Sequence, residues 1–322
     1  MTQLAQKIDL AVREKQVSLR DLRRVNVDTT VQEKNVTFPT DSKLLYKAVV
    51  KLVHAARSRG IRLRQSYVRA GKKASLMAGR YAHAKQYKRM RRQLRKLRTY
   101  VGRLIRDIRR KASTVDEGLA ILLARADRVR QQQPHDSHKL YSLHEPEVQC
   151  ISKGKAHKRY EFGQKVAIAT TNGDNWIVAS RMIANNPYDG HTFAETLAAV
   201  ESIIGIAVTD AYVDKGYRGH DYTGAAEVHI AGQRYNGASR VERKRRRRRS
   251  AVEPKIGHLK SDHRMDRCFL AGLQGDAINA VLAAAGNNLR KLLQRFFYAL
   301  ICWLESIITA MRTSNFGPKC AA

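Results

Sequence analysis

Three acidic side chains sit in neighbourhoods suited to chemistry. Asp28 lies in Arg24 to Val31 (RVNVDTTV), where Val25, Val27, Thr29 and Val31 alternate with Asn26, Asp28 and Thr30. A period of two marks a half-buried strand whose polar face presents Asp28. Asp214 closes a second short strand, Ala211-Tyr212-Val213-Asp214, and a glycine-containing turn, Lys215 to Gly219, follows it. Such strand ends are favoured places for functional carboxylates in open α/β sheets. Glu253 lies between Arg249 and Lys260. On a helix Arg249, Glu253 and Lys260 stand at i, i+4 and i+11 and share one face, a carboxylate flanked by two cations. That helix requires Pro254 in its first turn. Two carboxylates at strand ends and a third on a helix packed against the same sheet would supply the oxygen donors that two Mg²⁺ or Mn²⁺ ions need. Zinc, which prefers Cys and His, does not suit this set.

Other groupings carry less. Asp136 follows Pro134 in a loop, and Asp174 sits in a turn that needs such a residue anyway. His135, His138, His144 and Cys150 match no tight zinc-ligand spacing. The segment Lys215 to Gly219 lacks the Lys-Ser/Thr that completes a phosphate loop.

The charge balance points to the substrate. The chain has 322 residues with 61 Lys+Arg against 28 Asp+Glu, a formal net charge of +33. So large a surplus opposes compaction by self-repulsion and signals a polyanionic partner, nucleic acid before an anionic membrane. Residues 41–110 hold 23 Lys/Arg against Asp41 and Asp107 alone. A merely soluble surface mixes both signs, so these faces are expected to meet phosphates. Met1 to Lys15 has no signal-peptide run, and Phe296 to Met311, interrupted by Glu305, is short for a spanning helix. No membrane is expected. Four scattered cysteines without a C-x-x-C pair predict no disulfide framework and a cytoplasmic chain.

The elements that position the three acids follow from periodicity. From Asp41, Leu44, Leu45, Ala48, Val49, Leu52, Val53 and Ala56 recur at helical spacing, with Gly60 as a stop. After a polar, basic middle, Met90, Leu94, Leu97, Val101, Leu104, Ile108, Ala112, Val115, Leu119, Leu122 and Ala126 predict a sustained heptad seam, ended by Pro134. A helical basic insertion over 41–133 results, a hairpin or small bundle. Alternation across 158–184 around Asn172-Gly173-Asp174-Asn175 predicts a β-hairpin. Thr192 with Glu195 resembles a capping box opening a helix to about Ile204. Val228 to Ile230 reads as a strand, and 251–297 as helix. The order suits a mixed α/β layer fold.

Four segments carry a resemblance: VDTTVQEKNVTFPTDSKLLYKA, YSLHEPEVQCISKGKAHKRYEFGQKVAIATT, AYVDKGYRGHDY and RRRRRSAVEPKIGHLKSDHRMDRCFLAGLQGDAINAVLAAAGNNLRKLL. They resemble bacterial insertion-sequence transposases of the insertion sequence five group, over residues 20–295. The resemblance implies an α/β fold with a ribonuclease-H-like mixed sheet and a large basic helical insertion after the first strand. It implies an aspartate–aspartate–glutamate triad at Asp28, Asp214 and Glu253, which would hold two Mg²⁺ (or Mn²⁺) ions. It further implies cleavage of double-stranded DNA at element ends and strand transfer into target DNA, on a homodimer or higher oligomer. Arg249 and Lys260 match the cations that the family spaces around its glutamate, while Arg246 stands where the family has Tyr. Lys244, Arg246, Arg249, Lys260 and Arg218 are the expected phosphate contacts. The expected divisions are 1–40 for the N-terminal segment and first catalytic strand, 41–133 for the insertion, 134–295 for the rest of the catalytic domain and 296–322 for a C-terminal helix and tail. Only 27 residues precede Asp28, fewer than the family usually carries. The alternative is therefore a truncated, non-catalytic DNA-binding remnant.

Overall fold

A computed structural model describes residues 3–152, 158–233 and 237–314, with side chains described as far as residue 309. In chain order the helices are α1 (Gln3–Arg13), α2 (Leu19–Leu22), α3 (Asp41–Ser58), α4 (Val68–His83), α5 (Tyr87–Lys111) and α6 (Glu117–Gln131), then α7 (Phe193–Ile204), α8 (Arg240–Arg248), α9 (Val252–Asp262) and α10 (Gly272–Ser314). The strands are β1 (Arg24–Glu33), β2 (Gln149–Ser152), β3 (Tyr160–Thr171), β4 (Ile177–Ile183), β5 (Asp210–Val213) and β6 (Glu227–Ile230). The chain divides into two compact units, 34–163 and the combination of 1–33 with 164–322. Cys150, Cys268 and Cys302 are free thiols.

The unit built from 1–33 and 164–322 is a mixed α/β fold. Its strands run in the order β4-β3-β1-β5-β6. The β3–β4 hairpin is antiparallel, whereas β1–β5 and β5–β6 are parallel. Parallel pairs with helices on their faces are consistent with the ribonuclease-H-like expectation. On one face Val25 and Val27 of β1 and Ala211 and Val213 of β5 pack with Ile8 of α1 and Phe193, Leu197 and Val200 of α7. On the other, Val166, Ile168 and Ile177 pack with Leu259 of α9 and Ala280, Ala283 and Ala284 of α10. Asn288 of α10 anchors that second layer. Its side chain accepts the Ile177 N–H at 3.1 Å and donates to the Ile177 carbonyl at 2.8 Å.

Two expectations for this unit change. β1 is not half-buried: Asn26, Thr30 and Gln32, on the face expected to meet water, are buried as well. Burial is tolerated there because the polar groups are bonded, Gln32 Nε2 donating to the Asp276 carbonyl at 2.9 Å and Asn279 Nδ2 donating to Gln32 Oε1 at 2.9 Å. The capping box at Thr192 does not form. A 3₁₀ turn, Asp189–Thr192, precedes α7, the Thr192 hydroxyl donates to the Asp189 carbonyl at 2.8 Å, and Glu195 pairs with Arg181.

α10 also differs from expectation. The apolar stretch beginning at Phe296 is not a separate element but the end of one 43-residue helix. Gly272–Thr309 is long and apolar enough to cross a membrane by length and composition. Its first half nevertheless belongs to the α/β core through Ala280, Ala283, Ala284 and Asn288.

The unit of residues 34–163 is helical, with the short β2 paired antiparallel to residues 160–163 of β3. Its core joins Leu45, Val49 and Leu52 of α3 with Leu97, Val101, Leu104 and Ile108 of α5 and Leu119, Leu123 and Ala126 of α6. The expected seam is thus real in composition but divided between two helices. α5 ends at Lys111 and α6 starts at Glu117, so Val115 falls in the connection and is 48% exposed. The basic middle is itself a helix, α4, which approaches closely because its buried positions are Gly71, Ala74 and Ala78. Arg59 closes the unit with a two-pronged pair to Asp116, at 2.8 and 2.9 Å.

Candidate active site

The register of β1 against β5 fixes the first relationship. Arg24, Val25 and Asn26 pair with Asp210, Ala211 and Tyr212. Asp28 and Asp214 each lie two residues further along strands of the same direction, so that register carries them to adjacent positions at the C-terminal edge of the parallel pair. Neighbouring strands are about 4.8 Å apart. Both carboxylates share the face of Asn26 and Tyr212, since side chains two apart point the same way.

Local bonds orient each acid. Asp28 Oδ1 accepts the Thr29 N–H at 2.7 Å. Asp214 lies just beyond β5 and caps the 3₁₀ turn Lys215–Tyr217, its Oδ1 accepting the Gly216 N–H at 2.8 Å. Gly216 makes this approach easy, since a Cβ there would stand 3.0 Å from Asp214 Oδ1, a tight contact. That turn also delivers Tyr217, which is 1% exposed. Its hydroxyl finds no hydrogen-bond acceptor or donor among the described residues. Burial first, and then the negative charges of Asp189, Asp28 and Asp214, hold the Tyr217 hydroxyl well above its ordinary range. Asp28 and Asp214 thus both act on one buried hydroxyl, together with Asp189, which also pairs with Lys165 at 2.9 Å, and carboxylate oxygens are the donors that hard cations take.

Glu253 arrives on a different element. α8 and α9 are separated by a 3₁₀ turn, Arg249–Ala251, and α9 packs against β1. Val252 and Leu259 are buried, and Pro254 falls in the first turn as required. The join is fastened to the sheet by amides. Asn26 Nδ2 donates to the Arg248 carbonyl at 3.3 Å, and Asn172 Nδ2 donates to Asn26 Oδ1 at 2.7 Å and to the Arg245 carbonyl at 3.0 Å. Asn175 Nδ2 donates to the Ala251 carbonyl at 2.6 Å. Since Asn26 reaches Arg248 from the face that also bears Asp28, the α8–α9 join covers the face of the two aspartates. Glu253 itself is 63% exposed and pairs with Arg249 at 3.2 Å. The structure thus brings Asp28 and Asp214 together and brings the helix of Glu253 to their face, while the Glu253 carboxylate is held by Arg249.

The expected phosphate contacts lie along the same region. Lys244 on α8 and Arg218 after the 3₁₀ turn are exposed, and Lys260 on α9 is half-buried. Arg246 is turned inward, bonded to Glu242 and close enough to Tyr212 to act on its hydroxyl electrostatically.

A second acidic group had no signature in the sequence. Asp210, Glu227 and His229 hold their ligand atoms within 4.8 Å of one another, close enough to gather a metal ion. Burial pushes the Asp210 carboxyl up, but the Thr209 hydroxyl, His229 and Arg24 outweigh it and hold it below its usual value. His229 Nε2 lies 3.1 Å from Asp210, and its ring stacks on Tyr212 at 4.6 Å. Arg24 stands 3.5 Å from the same carboxylate. This group is at the opposite end of β5, about 13 Å from Asp214 by strand rise. Neighbouring strands supply its members, so only the β5–β6 register reveals it. Tyr217 and Asp189 were missed as well; the turn directly after Asp214 was the available signal.

The comparisons agree with the later part of the chain. Residues 213–293 match the family model described as "Transposase DDE domain". The stretch includes Asp214 and Glu253 and leaves Asp28 outside. A curated relative from Rhizobium meliloti, "Uncharacterized protein ORF8 in nfe locus", is 58% identical over 66 residues. That match covers 20% of this chain and 32% of the relative, so the chain spans about a third of the length of the relative it matches. No solved structure matches. DDE domains generally use divalent metals, and transposases bind DNA. Residues 213–293 of this chain are a transposase DDE domain.

Proposed function

We propose that the chain is a DNA transposase of the insertion sequence five group, with Asp28, Asp214 and Glu253 as its triad. The observation that carries this reading is the β1–β5 register, which aligns Asp28 with Asp214 on the face that α9 covers. In this reading Asp28, Asp214 and Glu253 would hold two Mg²⁺ or Mn²⁺ ions, whose chemistry would be to activate a water or 3′-hydroxyl and to stabilise charge on the leaving oxygen. The residues of the chain do the rest. Asp214 is oriented by the Gly216 N–H, and Asp28 by the Thr29 N–H. Arg249, paired with Glu253, is the cation beside that carboxylate that would meet a phosphate. Lys244, Lys260 and Arg218 steer the DNA backbone, Arg246 being turned inward toward Glu242. The working place is the bacterial cytoplasm, on the nucleoid.

The test uses duplex DNA carrying the ends of the element. The chain cuts it in Mg²⁺ or Mn²⁺, and Asp214→Asn binds it equally but does not cut. A wild-type chain that binds the ends and never cuts with either metal is a DNA-binding remnant, and the catalytic assignment falls.

A further inference from the structure

α10 presents an apolar face that the α/β unit does not use. The side toward the sheet carries Ala280, Ala284, Asn287 and Asn288, all buried. Opposite them Leu282, Leu289, Leu293, Phe296, Leu300 and Trp303 are exposed, and Ile307 continues the row. From Leu289 the steps are 4, 3, 4, 3 and 4, a heptad seam of five intervals. Phe297 and Leu304, 57% and 45% exposed, widen it along one edge.

The charges weigh against two occupants. Between Leu293 and Ile307 the only ionisable carboxylate or guanidinium groups are Arg295 and Glu305, and both lie off the seam, on the side of Tyr298 and Cys302. A helix facing lipid on all sides would be apolar all round, and this one has a polar stripe. A helix lying in a membrane surface relies on a row of cations along its polar face, and this stripe has one cation and one acid. What remains is a partner helix with the same repeat.

We infer that the occupant is α10 of a second copy, the two seams pairing as a coiled coil. The seam is self-complementary in the way a two-fold interface requires. Three aromatics and the flanking aliphatics expose on the order of 700 Å² of apolar surface, close to the ~800 Å² that each partner contributes to a standard interface. A chain of net charge +33 repels its copies almost everywhere, and this neutral strip is where that cost is lowest. The pairing does not depend on the catalytic reading.

The test is sedimentation velocity of the full chain at tens of micromolar, without DNA and in high salt. Wild type sediments as a dimer. Leu300→Glu and Leu293→Glu each shift it to monomer with unchanged far-UV circular dichroism. Tyr298→Glu, on the opposite stripe, leaves the dimer intact. A monomeric wild type overturns the inference, and so does a dimer that survives both seam variants or is lost equally with Tyr298→Glu. Flotation of monomeric wild type with phosphatidylcholine vesicles, abolished by Leu300→Glu, overturns it in favour of a membrane.

Discussion

Asp28 and Asp214, 186 positions apart in sequence, stand side by side because Asn26 and Tyr212 are register partners in parallel strands. Two like charges at adjacent strand ends repel. A divalent ion relieves that repulsion. Mg²⁺ is therefore expected to raise the melting temperature of wild type, with about 2.7 kcal/mol of stabilisation at 100 times its Kd. Asp28→Asn and Asp214→Asn should melt no lower than wild type without metal and lose most of the Mg²⁺ response. DNA cutting should drop at least about 100-fold in either. An undiminished metal response in both variants would place the ion elsewhere.

Asn172 ties three segments to one another through Asn26, the Arg245 carbonyl and, by its own carbonyl, Arg248 Nε at 2.9 Å. Asn172→Ala leaves buried amide and carbonyl groups unsatisfied and should lower the unfolding free energy by about 1–3 kcal/mol. Urea titration reads this directly. Because the same bonds seat the start of α9, cutting should fall more than the loss of folded protein accounts for; a fall in proportion to stability alone would deny the seating role.

The polar face of β1 shows where the sequence was readable and where it was not. Alternation located the strand and put Asp28 on the face of Asn26. It could not show that Asn26 and Gln32 were buried, because the backbone groups they bond belong to Arg248 and Asp276, more than 200 residues later. The Asp210–His229 pair, only 19 residues apart, was hidden because the β5–β6 register, not sequence spacing, brings it together. The Thr192–Glu195 spacing failed because a nearer carbonyl, that of Asp189, took the hydroxyl. Helical periodicity found the core of 34–163 but ran through the break at Ala112–Asp116, since the seam continues across a change of helix. The resemblance supplied the third acid, which spacing alone did not distinguish from an ordinary Arg249–Glu253 surface pair.

Lys291 gives a pH signature of opposite sense to that of most ionic contacts. Its ammonium lies 4.6 Å from the centre of the Trp176 ring. Burial first, and then the neighbouring Lys255, push it down from 10.5 to about 8. Between those two values the unfolded chain binds the proton and the folded chain does not, so stability rises with pH across that window. Lys291→Met should flatten the rise in urea midpoint between pH 8 and pH 10. The same rise in wild type and variant would show that another group causes it.

Lys244 is exposed on α8 and has no part in the fold's packing. Lys244→Ala should weaken DNA binding alike for specific and random duplexes. The slope of log affinity against log salt should fall by about 0.9, the loss of one phosphate contact. Fluorescence anisotropy across a salt series measures it, and an unchanged slope would remove Lys244 from the DNA track.

Replacing Mg²⁺ with Fe²⁺ and supplying ascorbate and peroxide generates radicals that cut the polypeptide next to the bound metal. Mapping the fragments by mass spectrometry tests whether three distant segments share one ion-binding centre. Cuts are expected beside Asp28, Asp214 and Glu253, all suppressed by excess Mg²⁺ and all weakened in Asp214→Asn. Cuts confined to Asp210, Glu227 and His229, or absent beside Asp28, would contradict the account.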